Sequence, residues 1–116
     1  MDSAKYNKFK EIHLIEIPQG HLVWKFGTGD NIELFDIEVE EKQKGYGTQL
    51  VKMLLEAVAQ YHPSSIYGFT AGNNIVAQSF YRVLGFESVP LGDLYKNKAG
   101  VIFFWQNYKE LCEKLL

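Results

Sequence analysis

The chain has one cysteine in 116 residues, Cys112, so no disulfide can form within it and its stability must come from an apolar core. A single free thiol suits a reducing compartment, and a cytoplasmic location is expected. Net charge is nearly absent: twelve Lys and Arg against fourteen Asp and Glu leave a formal charge of −2. That argues against a protein held on nucleic acid by its overall charge, and the one basic cluster, Lys5, Lys8 and Lys10, reads as a short solvated run. No stretch approaches the roughly 18 consecutive apolar residues of a membrane span. Met1 to Lys10 is polar and lacks the apolar centre of a signal peptide. Three histidines, His13, His21 and His62, fall at no ligand spacing, so no metal site is expected. Low-complexity tracts are missing as well, which excludes a disordered linker.

What remains is 47% apolar and 15% aromatic, enough for one core in a chain too short for two. One domain is expected over 1–116, with 1–8 as a flexible tail. Residues 9–17 are rich in β-formers and stop at Pro18. His21 to Phe26 reads as a second strand, and Gly27-Thr-Gly-Asp-Asn31 as a hairpin loop. Residues 32–40 form a third strand with broken alternation: Ile32 and Leu34 keep one phase, Phe35, Ile37 and Val39 the other. A slip of phase would expose half of these, so a β-bulge is expected near Leu34–Phe35. Leu50, Leu54, Val58 and Tyr61 then repeat at helical spacing and predict an amphipathic helix over 47–61, ended by His62-Pro63. Ser65 to Ala71 is a strand, Ile75 to Leu84 a helix with Gly85 as its C′ residue, Phe86 to Leu91 and Gly100 to Gln106 two strands around a polar loop, and 107–116 a helix. The order β-β-β-α-β-α-β-β-α predicts a mixed α/β sheet with helices on its faces.

Two segments carry chemistry. In Lys42-Gln-Lys-Gly-Tyr-Gly-Thr48, two glycines allow a tight turn into a helix whose first N–H groups lack partners. The helix dipole, Lys42 and Lys44 add positive charge, which makes a site for a phosphate or pyrophosphate. On this feature alone an ordinary strand-to-helix turn is an equal reading. The second segment is Asn74-Ile-Val-Ala77-Gln-Ser-Phe80-Tyr81-Arg-Val-Leu84-Gly85-Phe86. Taken residue by residue, it offers an N-cap asparagine and a half-buried tyrosine.

Together the two segments resemble the GNAT superfamily of acetyl-CoA-dependent N-acetyltransferases. The phosphate loop of that family, Arg/Gln-x-x-Gly-x-Gly/Ala after a strand, is matched by Lys42-Gln-Lys-Gly45-Tyr-Gly47. Its motif Asn-x-x-Ala-x-x-Φ-Tyr-x-x-x-Gly-Phe, with Φ apolar, is matched at Asn74, Ala77, Phe80, Tyr81, Gly85 and Phe86. Lys42 departs from the pattern, keeping charge but losing a planar fork. The family also begins with a strand and helices that wall the acceptor site, where here about eight polar residues precede the first strand, so the chain resembles a minimal member.

The resemblance implies acetyl-CoA as co-substrate, held in a cleft between strands 32–40 and 65–71. It places backbone groups of Ile37 and Val39 along the pantetheine arm, Lys42, Gln43, Lys44, Gly45, Tyr46, Gly47 and Thr48 around the pyrophosphate, and Asn74 and Phe80 beside the cofactor. Tyr81 would be the general acid for the departing thiolate. A primary amine would attack directly, and since such an amine has a pKa near 10.4, only about one in a thousand is neutral at pH 7. A base is therefore expected to help. Glu33, Asp36, Glu38, Glu40 and Glu41 crowd the third strand, and Glu33 and Glu38 are the base candidates; a solvated strand face is the plainer reading of the cluster. The rival functional reading is a non-catalytic coenzyme A-binding or partner-binding domain. The open edge of the first strand also invites pairing with a second copy.

Overall fold

Alternating apolar residues fold the first third of the chain into an antiparallel meander. The computed structural model describes residues 11–92 and 100–116. Strand β1 (Ile12–Ile17) pairs with β2 (Gly20–Phe26), and β2 with β3 (Ile32–Val39). Then come α1 (Tyr46–Ala57), a 3-10 turn (Ala59–Tyr61), β4 (Ser65–Ala71), α2 (Ile75–Leu84), β5 (Glu87–Pro90), β6 (Val101–Asn107) and α3 (Tyr108–Leu115). The sheet runs β1-β2-β3-β4-β6-β5, antiparallel throughout except between β3 and β4. This is the mixed α/β fold and element order expected. The expected tail 1–8, the lysines within it and the polar loop from Asp93 to Ala99 lie outside the described residues.

The bulge falls where the broken alternation put it. Trp24 pairs with Leu34 and Val23 with Asp36, which leaves Phe35 unmatched. The extra residue resets the phase. Ile32 and Leu34 before it, and Ile37 and Val39 after it, all join the core, while Phe35 is 52% exposed.

The helices do not divide between the two faces of the sheet as expected. All three described helices cover one face. Leu50, Val51, Leu54, Leu55 and Val58 are fully buried against Leu22, Ile32, Leu34 and Ile66. Each such side chain stabilises the fold by about 1.5–3 kcal/mol. Helix α3 is tied to α1 by the Tyr108 hydroxyl, which donates to the Leu55 carbonyl at 2.6 Å. Tyr81 of α2 stacks on Phe104 of β6, their centroids 3.8 Å apart.

Helix α1 ends at Ala57, four residues before the expected end. A 3-10 turn carries the chain to His62, which takes a left-handed conformation (φ 50°) before Pro63. Pro63 disfavours helical backbone at His62, so the last turn tightens and swings Tyr61 out to 45% exposure, against Phe26. Helix α2 keeps its expected bounds. Gly85 closes it in the left-handed region (φ 106°), and the Phe86 amide reaches back to the Tyr81 carbonyl.

Candidate functional site

Strands β3 and β4 are joined at one end only. Their parallel pairing consists of Ile32 with Ile66 and Glu33 with Tyr67. Side chains fasten that end further: Ser65 Oγ donates to Asn31 Oδ1, and Ser64 Oγ to Asp30 Oδ2, both at 2.8 Å. Gly68 is the last close approach, since a Cβ there would stand 2.6 Å from the Leu34 carbonyl oxygen. Beyond it the Phe35 bulge turns β3 aside. From Leu34 to Val39, β3 has no pairing with β4, although its other edge stays paired to β2. The open edge holds Ile37 and Val39, whose side chains lie half-buried toward the helices. Unpaired backbone at a sheet split is a place where an amide-bearing ligand can complete the ladder.

The loop from Lys42 to Gly45 stands at the same end as the split, between β3 and α1. Its backbone takes positive φ at Gln43 (63°) and again at Gly45 (83°). Such alternation turns successive N–H groups into one concavity. Gly45 caps α1 with no side-chain hydrogen bond, and no acidic residue occupies the first turn. The first helical bond runs from Gln49 N to the Gly45 carbonyl, so the amides of Tyr46, Gly47 and Thr48 stay outside the helix's own ladder. Lys42 and Lys44 are exposed beside them. An anion is what these groups suit.

The two glycines have different reasons to be glycine. At Gly45 a Cβ would meet nothing within 4 Å, and the requirement is the left-handed backbone. At Gly47 a Cβ would come within 2.9 Å of the Phe80 ring. The bare Cα of Gly47 therefore makes room for α2 rather than for a ligand, and Phe80 braces the anion loop from behind.

Asn74 is exposed, and its Oδ1 accepts from Ala77 N at 3.1 Å as the N-cap of α2. Only its Nδ2 remains for a ligand. Tyr81 is more buried than its sequence suggests, at 6% exposure, with Phe104 on its face and Phe86 at its edge. Burial, and second the negative charge of Asp36, push its hydroxyl well above the ordinary tyrosine pKa. Tyr81 therefore holds its proton firmly: full transfer to a thiolate, whose ordinary pKa is about 8.5, runs uphill.

The bulge also gathers the acids. Glu33, Asp36 and Glu38 pair across β2 with Lys25, Val23 and His21, residues of the face that carries no helix. Glu33 lies 4.0 Å from Lys25 Nζ, and Asp36 lies 3.6 Å from His21 Nε2. Sequence reasoning counted Asp36 in the acidic cluster but did not choose it as a base candidate. It stands on the open face, and its negative charge is the lesser cause, after burial, of the raised Tyr81 pKa. Its position directly after the phase break was the available signal. Among the described residues no group of three or more His, Cys, Asp or Glu could hold a metal ion, and no helix is long and apolar enough to cross a membrane.

Comparison with known proteins agrees with this fold. No curated protein matches the chain. Among solved structures it is similar to Ard1 from Thermoplasma volcanium, with 20% identity over 77% of this chain and 62% of the other, at a TM-score of 0.68. It is similar to a Bacillus subtilis acetyltransferase in complex with CoA, with 20% identity over 90% and 80% of the two chains, at 0.69. A streptothricin-acetyltransferase-like protein of Bacillus anthracis in complex with acetyl coenzyme A shares 26% identity over 75% and 53%, at 0.64. The chain thus spans less than two-thirds of the length of the Thermoplasma protein. The family model described as "Acetyltransferase (GNAT) family" matches residues 12–86, well over half of the chain, and includes both the split and the 42–48 loop. The chain belongs to the GNAT acetyltransferase family.

Proposed function

We propose that the chain transfers an acetyl group from acetyl-CoA to a primary amine by direct attack. The observation that carries this reading is the split between β3 and β4, beside an uncapped helix N-terminus that follows two left-handed loop residues. The residues present fit the co-substrate. The unpaired β3 edge at Ile37 and Val39 suits the amides of a pantetheine arm, and the amides from Gln43 to Thr48, with Lys42 and Lys44, suit a pyrophosphate. The two structural neighbours solved with CoA and acetyl coenzyme A support the assignment.

When bound, acetyl-CoA supplies an acyl carbon whose bond to sulfur breaks as its bond to the amine nitrogen forms, the ammonium giving up two protons, one of which ends on the sulfur. The chain's own residues position and neutralise. Tyr81, held protonated, donates a hydrogen bond toward the departing sulfur and lowers the cost of the developing charge. Asn74 Nδ2 orients the arm. Glu33, Glu38 and, from the structure, Asp36 draw an ammonium to the open face and take its proton, directly or through water. Asp36 joins Glu33 and Glu38 as a base candidate, because the bulge sets it on the open face just past the last β3–β4 pair. The lone thiol Cys112 is in keeping with a cytoplasmic setting.

The test is a thermal melt with and without acetyl-CoA, with ATP as the phosphate control. Ligand at 100 times its dissociation constant adds about 2.7 kcal/mol, which lifts the midpoint of a domain this size by roughly 10 °C. A shift with acetyl-CoA alone is expected, together with release of free thiol once an amine is added. No shift with either would remove the co-substrate. A shift without thiol release on any amine would leave a coenzyme A-binding domain.

A further inference from the structure

The face of the sheet opposite the helices carries rings. Tyr67 and Phe69 of β4 pair with Trp105 and Phe103 of β6, and all four side chains leave the sheet on the open side. Their residue neighbours Ile66, Gly68 and Phe104 are buried on the other. Phe69 is 48% exposed and Trp105 38%. The rings are organised rather than scattered, with Tyr67, Phe69 and Phe103 packed at centroid distances of 5.3–6.1 Å. They line a concavity of about 510 Å³, with Asn31 and Ser65 at its end. It is a shallow hollow, open to solvent along the sheet face. Among the described residues that line it, none is charged.

Charge stands at its edge instead. The β3–β4 pairing ends at Glu33 and Tyr67, so Phe69 already lies past the split, and Asp36 and Glu38 are the next acids of β3 on the same face. Along that rim are Glu33, Asp36 and Glu38. Lys25, the cation beside them, is occupied by the Glu33 carboxylate at 4.0 Å and by the Phe35 ring at 4.4 Å. The arrangement is an apolar, ring-lined hollow with an acidic rim at the cleft.

We infer that this concavity is the acceptor subsite, and that its occupant is a small primary amine whose ammonium is one or two methylenes from an aromatic ring. The ring lies on Phe69, Phe103 and Trp105, and the ammonium meets the acidic rim at the split. Offset and edge-on ring contacts reward a flat apolar body, and the carboxylates reward the cation. The inference rests on the acetyl-transfer reading for where the amine is presented.

Two measurements on the whole chain separate the inference from that reading. The first compares acetylation of 2-phenylethylamine and n-butylamine, amines that differ in the ring. The native protein is expected to favour the aryl amine by about tenfold in kcat/KM. Phe103→Ala and Phe69→Ser, on the open face, are each expected to abolish that preference by lowering kcat/KM for the aryl amine, with the acetyl-CoA-induced melting shift retained. Equal rates for both amines, or a preference that survives both variants, would overturn the subsite and leave acetyl transfer standing. The second measurement needs no turnover. Trp24 is buried and Trp105 lines the hollow, so 2-phenylethylamine should change the accessible tryptophan fluorescence in a saturable way that butylamine does not reproduce and Trp105→Phe removes. A saturable change without acetylation would uphold the subsite against a failed enzyme reading. No saturable change, or a dimer in sedimentation that Phe103→Ser dissociates, would overturn it in favour of an empty face or a second copy.

Discussion

Phe103 and Phe104 are neighbours in β6, yet Phe104 is 1% exposed beneath Tyr81 while Phe103 lies on the open face beside Tyr67 and Phe69. Strand alternation sends them to opposite sides. What differs is what waits there. On one side α1, α2 and α3 supply Leu50, Leu54, Leu84 and Leu111, so an aromatic ring becomes part of the core. On the other, rings meet other rings and solvent. One side is spent on stability, and the other, among the described residues, carries no helix.

Truncating each ring separates the two sides most sharply. Phe104→Ala is expected to cost about 3–5 kcal/mol, the loss of a large buried side chain together with the cavity it leaves. Phe103→Ala should cost less, about 1–2 kcal/mol, because its ring is only partly buried. Urea midpoints read both directly. Equal losses would mean that the open face is packed in solution by something beyond the described residues.

Alkali probes the covered side alone. Tyr81 is protonated in the folded chain well above the point where an unfolded tyrosine, near 10, gives up its proton. Above that point the unfolded state binds fewer protons than the folded one, so stability falls as pH rises, by about 1.4 kcal/mol per pH unit for one such group. Tyr108, pushed up to about 12 by burial and then by the Cys112 thiol, adds to the same decline. Tyr81→Phe should flatten the fall above pH 10 and leave the neutral-pH slope unchanged. An unaltered alkaline limb in denaturant titrations would place the tyrosine hydroxyl in water.

A smaller effect divides the anion loop in the same way. Gly47→Ala drives a methyl into the Phe80 ring and should cost about 1–3 kcal/mol, recovered in large part by Phe80→Leu. Gly45→Ala meets open space and costs about 1–2 kcal/mol through its left-handed backbone, which no change at Phe80 recovers. The coupling between the changes at 47 and 80, set against none between 45 and 80, is the double-mutant signature that checks it.

Much of this was legible in the chain. The Phe35 bulge could be read because one residue too many separates Leu34 from Ile37, and α2 because Asn74 and Gly85 mark its ends with side-chain and backbone chemistry of their own. Three things could not be read, and each depends on residues far apart in sequence. Gly47 and Phe80 are thirty-three positions apart, so the Gly-x-Gly pattern looked like a ligand requirement when half of it is a packing requirement. Tyr81 looked half-buried because the sequence does not say that Phe104 will cover its face. The rings at 67, 69, 103 and 105 looked like ordinary strand formers, because strand propensity is the same on a face that is covered and one that is not.

The least costly comparison concerns two asparagines. Asn74 and Asn107 cap α2 and α3 with the same bond, Oδ1 to the amide three residues on, at 3.1 Å in each case. Replacing either by Ala should cost about 1 kcal/mol. Replacing either by Asp keeps the accepting oxygen, suits the helix dipole and removes only Nδ2, so both Asp variants should melt within a degree or two of the native chain. They should part company once acetyl-CoA is added. At position 107, beside α3, the Asn→Asp change leaves the ligand-induced shift intact. At 74, at the head of the helix that carries Phe80 and Tyr81, it removes the donor proposed for the pantetheine arm and sets a negative charge near it. The shift should then shrink, with affinity down by about tenfold for one lost hydrogen bond. A full shift with Asn74→Asp would make Asn74 a cap and nothing more, the same residue as Asn107 in a different place.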